Sequence, residues 1–393
     1  MLGFEDAKLK TLKAEYTAEE IAQQPATWKK TRRQLEDLSG GIKAFIKKTV
    51  SMPDFDVLLT GAGTSEYVGK ALCPVLAGLL KGHVRSAGTT DIVASPHVYL
   101  SKDRPTLMVS FARSGNSPES VGAVEAADAV CGSIAHLFIT CNEKGALAEK
   151  AKGRDDVYSI VLTPETHDRG FAMTSSFSNM YLAALLAFAP EGLLKWDGVF
   201  AAAEAFLEEG YKKIKGFTDK NSFSRIVYLG TDVLKGIAQE SALKVLELTA
   251  GKMVALHDTP MGFRHGPKSV VNDDTVCVVY LSDEPRARRY EMDLLAELYR
   301  DKKGSSIIAV MNGHDKEAGK LCDLAVCMDA GCRLENAQLA LLYILAAQII
   351  ALMYSIELGI TPDDPCPTGE VNRVVKGVTI YPMKEKESEV PVL

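Results

Sequence analysis

The chain repeats itself, and that feature limits its possible folds more than any other. The run DVLLTGAG, Asp56 to Gly63, has the apolar content of a buried strand entering a glycine turn. At an offset of 169 residues stands RIVYLGTD, Arg225 to Asp232. The same offset lays Gly61 over Gly230, and PTLMVSFARSG, from Pro105, over DTVCVVYLSDE, from Asp274. A third pair, IAHLFIT ending at Thr140 and SSIIAV ending at Val310, is expected to continue the register with no gap. Two copies of one module follow, and 393 residues accommodate two domains of ordinary size.

Each copy alternates short β-branched runs with longer segments of helical period, the signature of βαβ units on a parallel sheet. The expected fold class is α/β: two tandem doubly wound parallel-sheet modules with N-terminal helices. Helices are expected near Glu66–Leu80, Pro118–Val130 and Thr174–Ala189, then near Val233–Ala250, Arg286–Asp301 and Leu334–Glu357. The expected division is a helical segment over 1–34 and a first module over 35–195. A helical connector near 196–216 leads into a second module over 205–376, and a charged, loose tail covers 377–393.

Hydrophobic residues at 47% and charged residues at 24% allow sizeable cores. A net charge of −6 argues against a nucleic-acid binder, which would show a basic face, but not against small anions held locally by amides. The N-terminal MLGFEDAKLKTLKAEY lacks a signal-peptide core, and the longest apolar stretch, Leu339 to Tyr354, falls short of a bilayer span. A buried helix and a cytoplasmic protein without membrane contact are expected. Of the eight cysteines, Cys322, Cys327 and Cys332 are evenly spaced, yet no C-x-x-C occurs and His314 has no matching partner, so reduced thiols are expected rather than a metal site.

In doubly wound sheets ligands bind beyond the carboxyl ends of the strands, where loops present free amides at helix starts. The first module has two such loops loaded for an anion. GAGTSE places Thr64 and Ser65 at a helix start, and FARSGNSPES turns through Ser114, Asn116 and Ser117 before Pro118. Hydroxyls and backbone N–H groups suit a phosphate dianion, and Arg113 adds a cation. Either loop alone could be ordinary capping; the pair at one sheet edge favours a ligand. A dinucleotide fingerprint fails because Tyr67 stands where the third glycine belongs.

The second module places Asp283-Glu284 over Ser114-Gly115, a pair that would repel phosphate. Its own distinctive segment carries Lys244 and Glu247 on one helical face, then a loop with His257, Asp258, Arg264, His265 and Lys268. A Lys-x-x-Glu is ordinarily a solvated surface pair. The histidine loop has the residue type suited to proton transfer near neutral pH.

These motifs together, GTS and SGNS followed by K-x-x-E and HGP, resemble the sugar isomerase (SIS) family over nearly the whole chain from Leu35. They are similar to the isomerase half of glucosamine-6-phosphate synthase, without its glutaminase half. FRHGPKS and NRVVKGVTIYP resemble more narrowly the AgaS group of galactosamine-6-phosphate deaminases and tagatose-6-phosphate ketose/aldose isomerases. The resemblance implies phosphate contacts at Ser65, Ser114 and Ser117, with Thr174 and Ser175 of MTSSFSN near the sugar. It implies a general base at Glu247, a ring-opening His265, Lys244 beside the carbonyl end, and Lys376 meeting the open-chain ketose. The synthase-like Ser-Gln before the S-G pair is here Ala112-Arg113, so one hydroxyl is exchanged for a cation. The implied activity is deamination of galactosamine 6-phosphate to tagatose 6-phosphate, needing neither metal nor nucleotide cofactor, in a homodimer whose partner completes the site. A ketose/aldose isomerase without nitrogen loss, a glucosamine or fructosamine 6-phosphate deaminase, and a non-catalytic sugar-phosphate sensor are the rival readings.

Overall fold

The computed structural model describes residues 1–375 and 377–383; Lys376 and the last ten residues lie outside them. In the first module β1 (Asp56–Gly61), β2 (His83–Gly88), β3 (Thr106–Ala112), β4 (Ile134–Thr140) and β5 (Val157–Val161) form a parallel sheet in the order β2-β1-β3-β4-β5. In the second, β6 (Arg225–Leu229), β7 (Val254–Asp258), β8 (Thr275–Tyr280), β9 (Ser306–Asn312) and β10 (Leu324–Met328) repeat that order as β7-β6-β8-β9-β10. Each sheet therefore has a topological switch point, between β1 and β3 and between β6 and β8. The expected α/β class with two repeated modules and N-terminal helices is what the chain adopts.

The equivalence of Gly61 and Gly230 has a steric cause. A Cβ on Gly61 would lie 2.5 Å from the Ser65 carbonyl carbon, and one on Gly230 would lie 2.3 Å from the Leu234 carbonyl oxygen. Only glycine lets the first helical turn close against the strand end. The gapless register fails at the third strand. Leu107 faces Ala135, whereas its counterpart Val276 faces Ser306, two residues later than the offset requires. The extra residues fall in the loop before β9, over 301–305 against 131–133 before β4.

The six expected helices are present within two residues of their expected ends, among them Thr64–Leu80, Pro118–Val130, Val233–Leu248 and Asn336–Glu357. The last of these outruns the apolar stretch seen in the sequence and is the one helix among the described residues long and apolar enough to cross a bilayer. It is a core helix instead, with 94% of its most apolar window buried.

The chain packs as two compact units. One holds residues 27–167, 175–193 and the described residues from Val371 to Met383; the other holds Met1–Ala26, Asp168–Thr174 and Leu194–Glu370. In the first, the Trp28 indole donates to Ser178 Oγ at 2.8 Å, and Ile380 sits 2.8 Å from where a Cβ on Gly122 would be. Met383 joins the apolar cluster of Leu58, Ile92, Met108 and Ala123. In the second, the Tyr16 and Thr17 amides donate to the Asp363 carboxylate at 3.1 and 2.8 Å.

Candidate active site

Because β1 and β3 are hydrogen-bonded neighbours, with Thr60 opposite Ser110, the loops after them leave the same carboxyl edge side by side. Gly63, at φ +56°, turns the first loop so that Thr64 and Ser65 begin the helix, both buried. In the second loop Gly115, at φ +68°, follows Ser114, and Ser117 caps the helix Pro118–Val130 by accepting from the Ser120 amide at 3.3 Å. Thr64, Ser65, Arg113, Ser114 and Ser117 are thus brought to one edge, at the switch point. Ser117 also does the capping work that a ligand-free reading requires.

Residues that sequence reasoning missed hold this edge in shape. The Asn142 amide donates to the Ser114 carbonyl at 2.8 Å, the Ala146 amide donates to Asn116 Oδ1 at 2.9 Å, and a Cβ on Gly145 would come within 2.4 Å of the Ser114 oxygen. The only sequence signal was the turn-forming composition of CNEKGA after β4. Arg113 is buried and donates to the Arg373 carbonyl at 2.7 Å. Ser114→Ala is expected to weaken binding of every 6-phosphate ligand by about 1–3 kcal/mol, the penalty for leaving a bound polar group unpaired. Calorimetry with phosphorylated and unphosphorylated sugars checks this, and equal affinities in variant and wild type would remove the residue from the phosphate site.

Thr174 and Ser175 are fully buried. The Thr174 amide donates to Asp168 Oδ2 at 2.8 Å and its hydroxyl lies 3.4 Å from Oδ1, while Ser175 opens the helix Ser175–Phe188.

The second module supplies the titratable groups. On the helix Val233–Leu248, Lys244 Nζ lies 2.5 Å from Glu247 Oε2 and 3.3 Å from Glu240 Oε1. Lys244 and Glu240 are fully buried, and the Glu247 side chain keeps 25% exposure. This is no solvated surface pair. Burial alone would depress the ammonium pKa, but the charges of Glu240 and Glu247 more than offset it, and the pKa stands above that of ordinary lysine. Glu240, one turn before Lys244, was missed; its signal was the i, i+4 spacing on the same face.

His257 and Asp258 close β7 rather than lie in the loop. The Thr259 hydroxyl caps the short helix Pro260–Phe263 by accepting from the Gly262 amide at 2.9 Å. Arg264 pairs with Glu297 at 2.9 Å, and Lys268 pairs with Glu297 and, at 2.7 Å, with Asp301. These ties pin the loop to the helix Pro285–Arg300 and leave His265 exposed. The described residues show no side-chain hydrogen bond from His265 to the Lys244–Glu247 pair. Lys376 lies outside the described residues.

At the second module's own switch point protein carboxylates occupy the donors. Asp232 stands at φ 57° where the first module has Gly63, and Glu284 accepts from the Arg286 and Ala287 amides at 3.0 and 2.7 Å. Glu291 accepts from the Ser282 amide at 2.7 Å; burial chiefly raises its pKa, to about 7. A phosphate would meet filled donors and negative charge there.

Two doubly wound modules in tandem, one with a hydroxyl-bearing edge at its switch point and the other with a buried Lys–Glu pair, define the class of protein. The SIS domain model matches residues 55–190 and 221–358, and the chain belongs to the SIS-domain family. It is 45% identical to an AgaS protein of Streptomyces coelicolor, over 95% of this chain and 97% of that one. It is 43% identical to the D-galactosamine-6-phosphate deaminase AgaS of Shewanella sp. ANA-3, over 93% of this chain and 92% of that one. Among solved structures, tagatose-6-phosphate ketose/aldose isomerase from Escherichia coli superposes with a TM-score of 0.87 at 39% identity, covering 93% of this chain and 96% of that one.

Proposed function

We propose that this chain is a cytoplasmic galactosamine-6-phosphate deaminase, converting galactosamine 6-phosphate and water to tagatose 6-phosphate and ammonia. The observation that carries the chemistry is the buried Lys244 held between two carboxylates, of which Glu247 alone reaches solvent. A sensor that only binds its ligand has no need for a buried ammonium beside a partly exposed carboxylate. The galacto substrate rests on the names and identity of the relatives.

The ring opens first, with His265 moving a proton between the ring oxygen and the anomeric hydroxyl. Glu247 then takes the proton from carbon 2 of the open aldehyde, and the electron pair moves toward the carbonyl oxygen to give an enolamine. Lys244, and Lys376 from the C-terminal segment, supply positive charge to that oxygen. Glu247 returns the proton at carbon 1, leaving an imine at carbon 2. Water adds there, and the carbon–nitrogen bond breaks to release ammonia and the ketose. The phosphate, on the Ser65, Ser114 and Ser117 loops with Arg113 beside them, is remote from these carbons and supplies binding and orientation.

The test is ammonia and ketose release from galactosamine 6-phosphate, measured beside glucosamine 6-phosphate and tagatose 6-phosphate. Isomerisation of the neutral ketose phosphate with no ammonia from either amino sugar would replace this reading with that of a ketose/aldose isomerase.

The second module has the proton-transfer residues but no anion edge, so its residues must meet a phosphate held by a first module. A closed twofold homodimer in which His265 serves the partner's phosphate site is the arrangement proposed. Mixing a Ser114→Ala, Ser117→Ala double variant with a His265→Ala variant is expected to restore up to about a quarter of wild-type activity, by statistical pairing in a C₂ dimer. No recovery after proven subunit exchange would place His265 in its own chain's site.

A further inference from the structure

We propose that Glu20, on the helix Glu15–Ala22, is a positioning residue for the loop Asp168–Thr174, and that through this loop it sets affinity for the sugar phosphate. The proposal rests on the reading of Thr174 as a substrate-contacting residue. Glu20 is 2% exposed and accepts from two successive backbone amides of the loop, those of Arg169 and Gly170. The Gly170 amide lies 3.2 Å from each carboxyl oxygen. Gly170 leaves room for this: a Cβ there would stand 2.9 Å from Glu20 Oε2. At the loop's far end Asp168, fully buried, holds both the amide and the hydroxyl of Thr174. The Thr174 carbonyl accepts from Gln348 at 3.4 Å, and Gln348 accepts from Gln24 at 2.6 Å. The helix Glu15–Ala22 thus fixes the start of a seven-residue turn, and Asp168 with Gln348 fixes its end at Thr174.

An amide at position 20 could accept the same bonds at lower cost, because a carboxylate there is buried beside a second one. Burial, and next the charge of Asp168, push the Glu20 pKa up to about 8. The other charged groups around it are Arg169 of the loop, Glu19 on its own helix, which pairs with Arg169, and Asp363, which holds Thr17; the core helix contributes the uncharged Gln348. A raised folded-state pKa means that the stability Glu20 contributes is full below the ordinary carboxyl value of 4.5 and is lost as pH rises through about 8, while the two amide bonds themselves favour the ionised form.

The experiment measures KM and kcat for galactosamine 6-phosphate at pH 7 on the full chain, as wild type, Glu20→Ala, Glu20→Gln, Gly170→Ala and Thr174→Val, with amide hydrogen exchange over residues 168–174. Glu20→Ala is expected to raise KM about tenfold, the lower part of the range for a lost buried hydrogen-bond partner, with kcat little changed and faster exchange in the loop. Glu20→Gln, which keeps an oxygen to accept from the loop amides, is expected to keep KM close to wild type and exchange in the loop slow. If Thr174→Val raises KM while Glu20→Ala leaves it unchanged, the positioning role is overturned and the Thr174 reading survives. If Thr174→Val leaves KM unchanged, the reading beneath the proposal falls, and the proposal with it. Should Glu20→Ala fail to fold, Gly170→Ala decides, because its Cβ would press on Glu20 Oε2 from 2.9 Å: unchanged KM and unchanged exchange in the loop overturn the proposal.

Discussion

Replacing Glu247 with glutamine is expected to lower turnover by about 10²–10⁴ while KM for galactosamine 6-phosphate stays close to wild type, since a positioned general base contributes a factor of that size. The substitution keeps the shape of the side chain and removes only its ability to take a proton from carbon. Its structural cost is small because Lys244 retains Glu240 at 3.3 Å, and because position 247 keeps contact with solvent. Steady-state kinetics with a thermal melt checks this. Equal losses in affinity and turnover, or a collapse of the melting temperature, would assign Glu247 to structure rather than to proton transfer.

Removing the cation is expected to act differently. Lys244→Met removes the cation 3.3 Å from the buried Glu240 and should destabilise the second unit by about 3–5 kcal/mol at neutral pH, the range for breaking a buried ion pair from one side. It should also abolish activity, as the role proposed for Lys244 at the enolamine oxygen requires. The pH dependence follows from the direction of the shifts. Without Lys244, Glu240 is a buried acid whose folded pKa lies above its unfolded value, so the deficit against wild type should shrink as pH falls toward the ordinary carboxyl range. In wild type the Lys244 pKa is raised on folding, so its contribution is full below the ordinary lysine value of 10.5 and is lost as pH rises through the folded value. Denaturant titrations at several pH values test this, and adding Glu240→Gln to Lys244→Met should recover much of the loss. A Lys244→Met protein as stable as wild type at neutral pH would show that the triad carries little net charge energy.

How far these features were legible depended on what each residue's environment is made of. β1, β3 and β8 are buried along their whole length, so near-continuous apolar runs announced them, and the glycine contacts at Gly61 and Gly230 fixed two thirds of the repeat. β2 and β7 are partly exposed edge strands whose sequences, HVRSAG and VALHD, carry no such run, and His257 was accordingly read as loop. The lost register at β9 arose in a loop, where length carries no apolar signal.

The hydroxyl-bearing edge of the first module was legible because serine, threonine and glycine are chemically conspicuous after a strand. The residues that shape it, Asn142 and Gly145, act from the next loop over, and only the adjacency of β3 and β4 brings them near. Lys244 and Glu247 were visible as a spacing but not as a buried pair. Their burial comes from packing between β6, β7 and the helix Asn336–Glu357, which no local pattern reveals. Glu20 and its partner Gly170 lie farther still from local detection, being joined across 150 residues of sequence.

The most direct measurement is the fate of deuterium placed on carbon 2 of galactosamine 6-phosphate, followed by NMR together with ammonia release. Proton transfer between carbons 1 and 2 predicts tagatose 6-phosphate and ammonia in equal amounts, slower turnover than with the unlabelled substrate, and deuterium gone from carbon 2 and divided between carbon 1 and water. Ammonia released with the deuterium still on carbon 2, giving an aldose phosphate, or no ammonia at all, would contradict it.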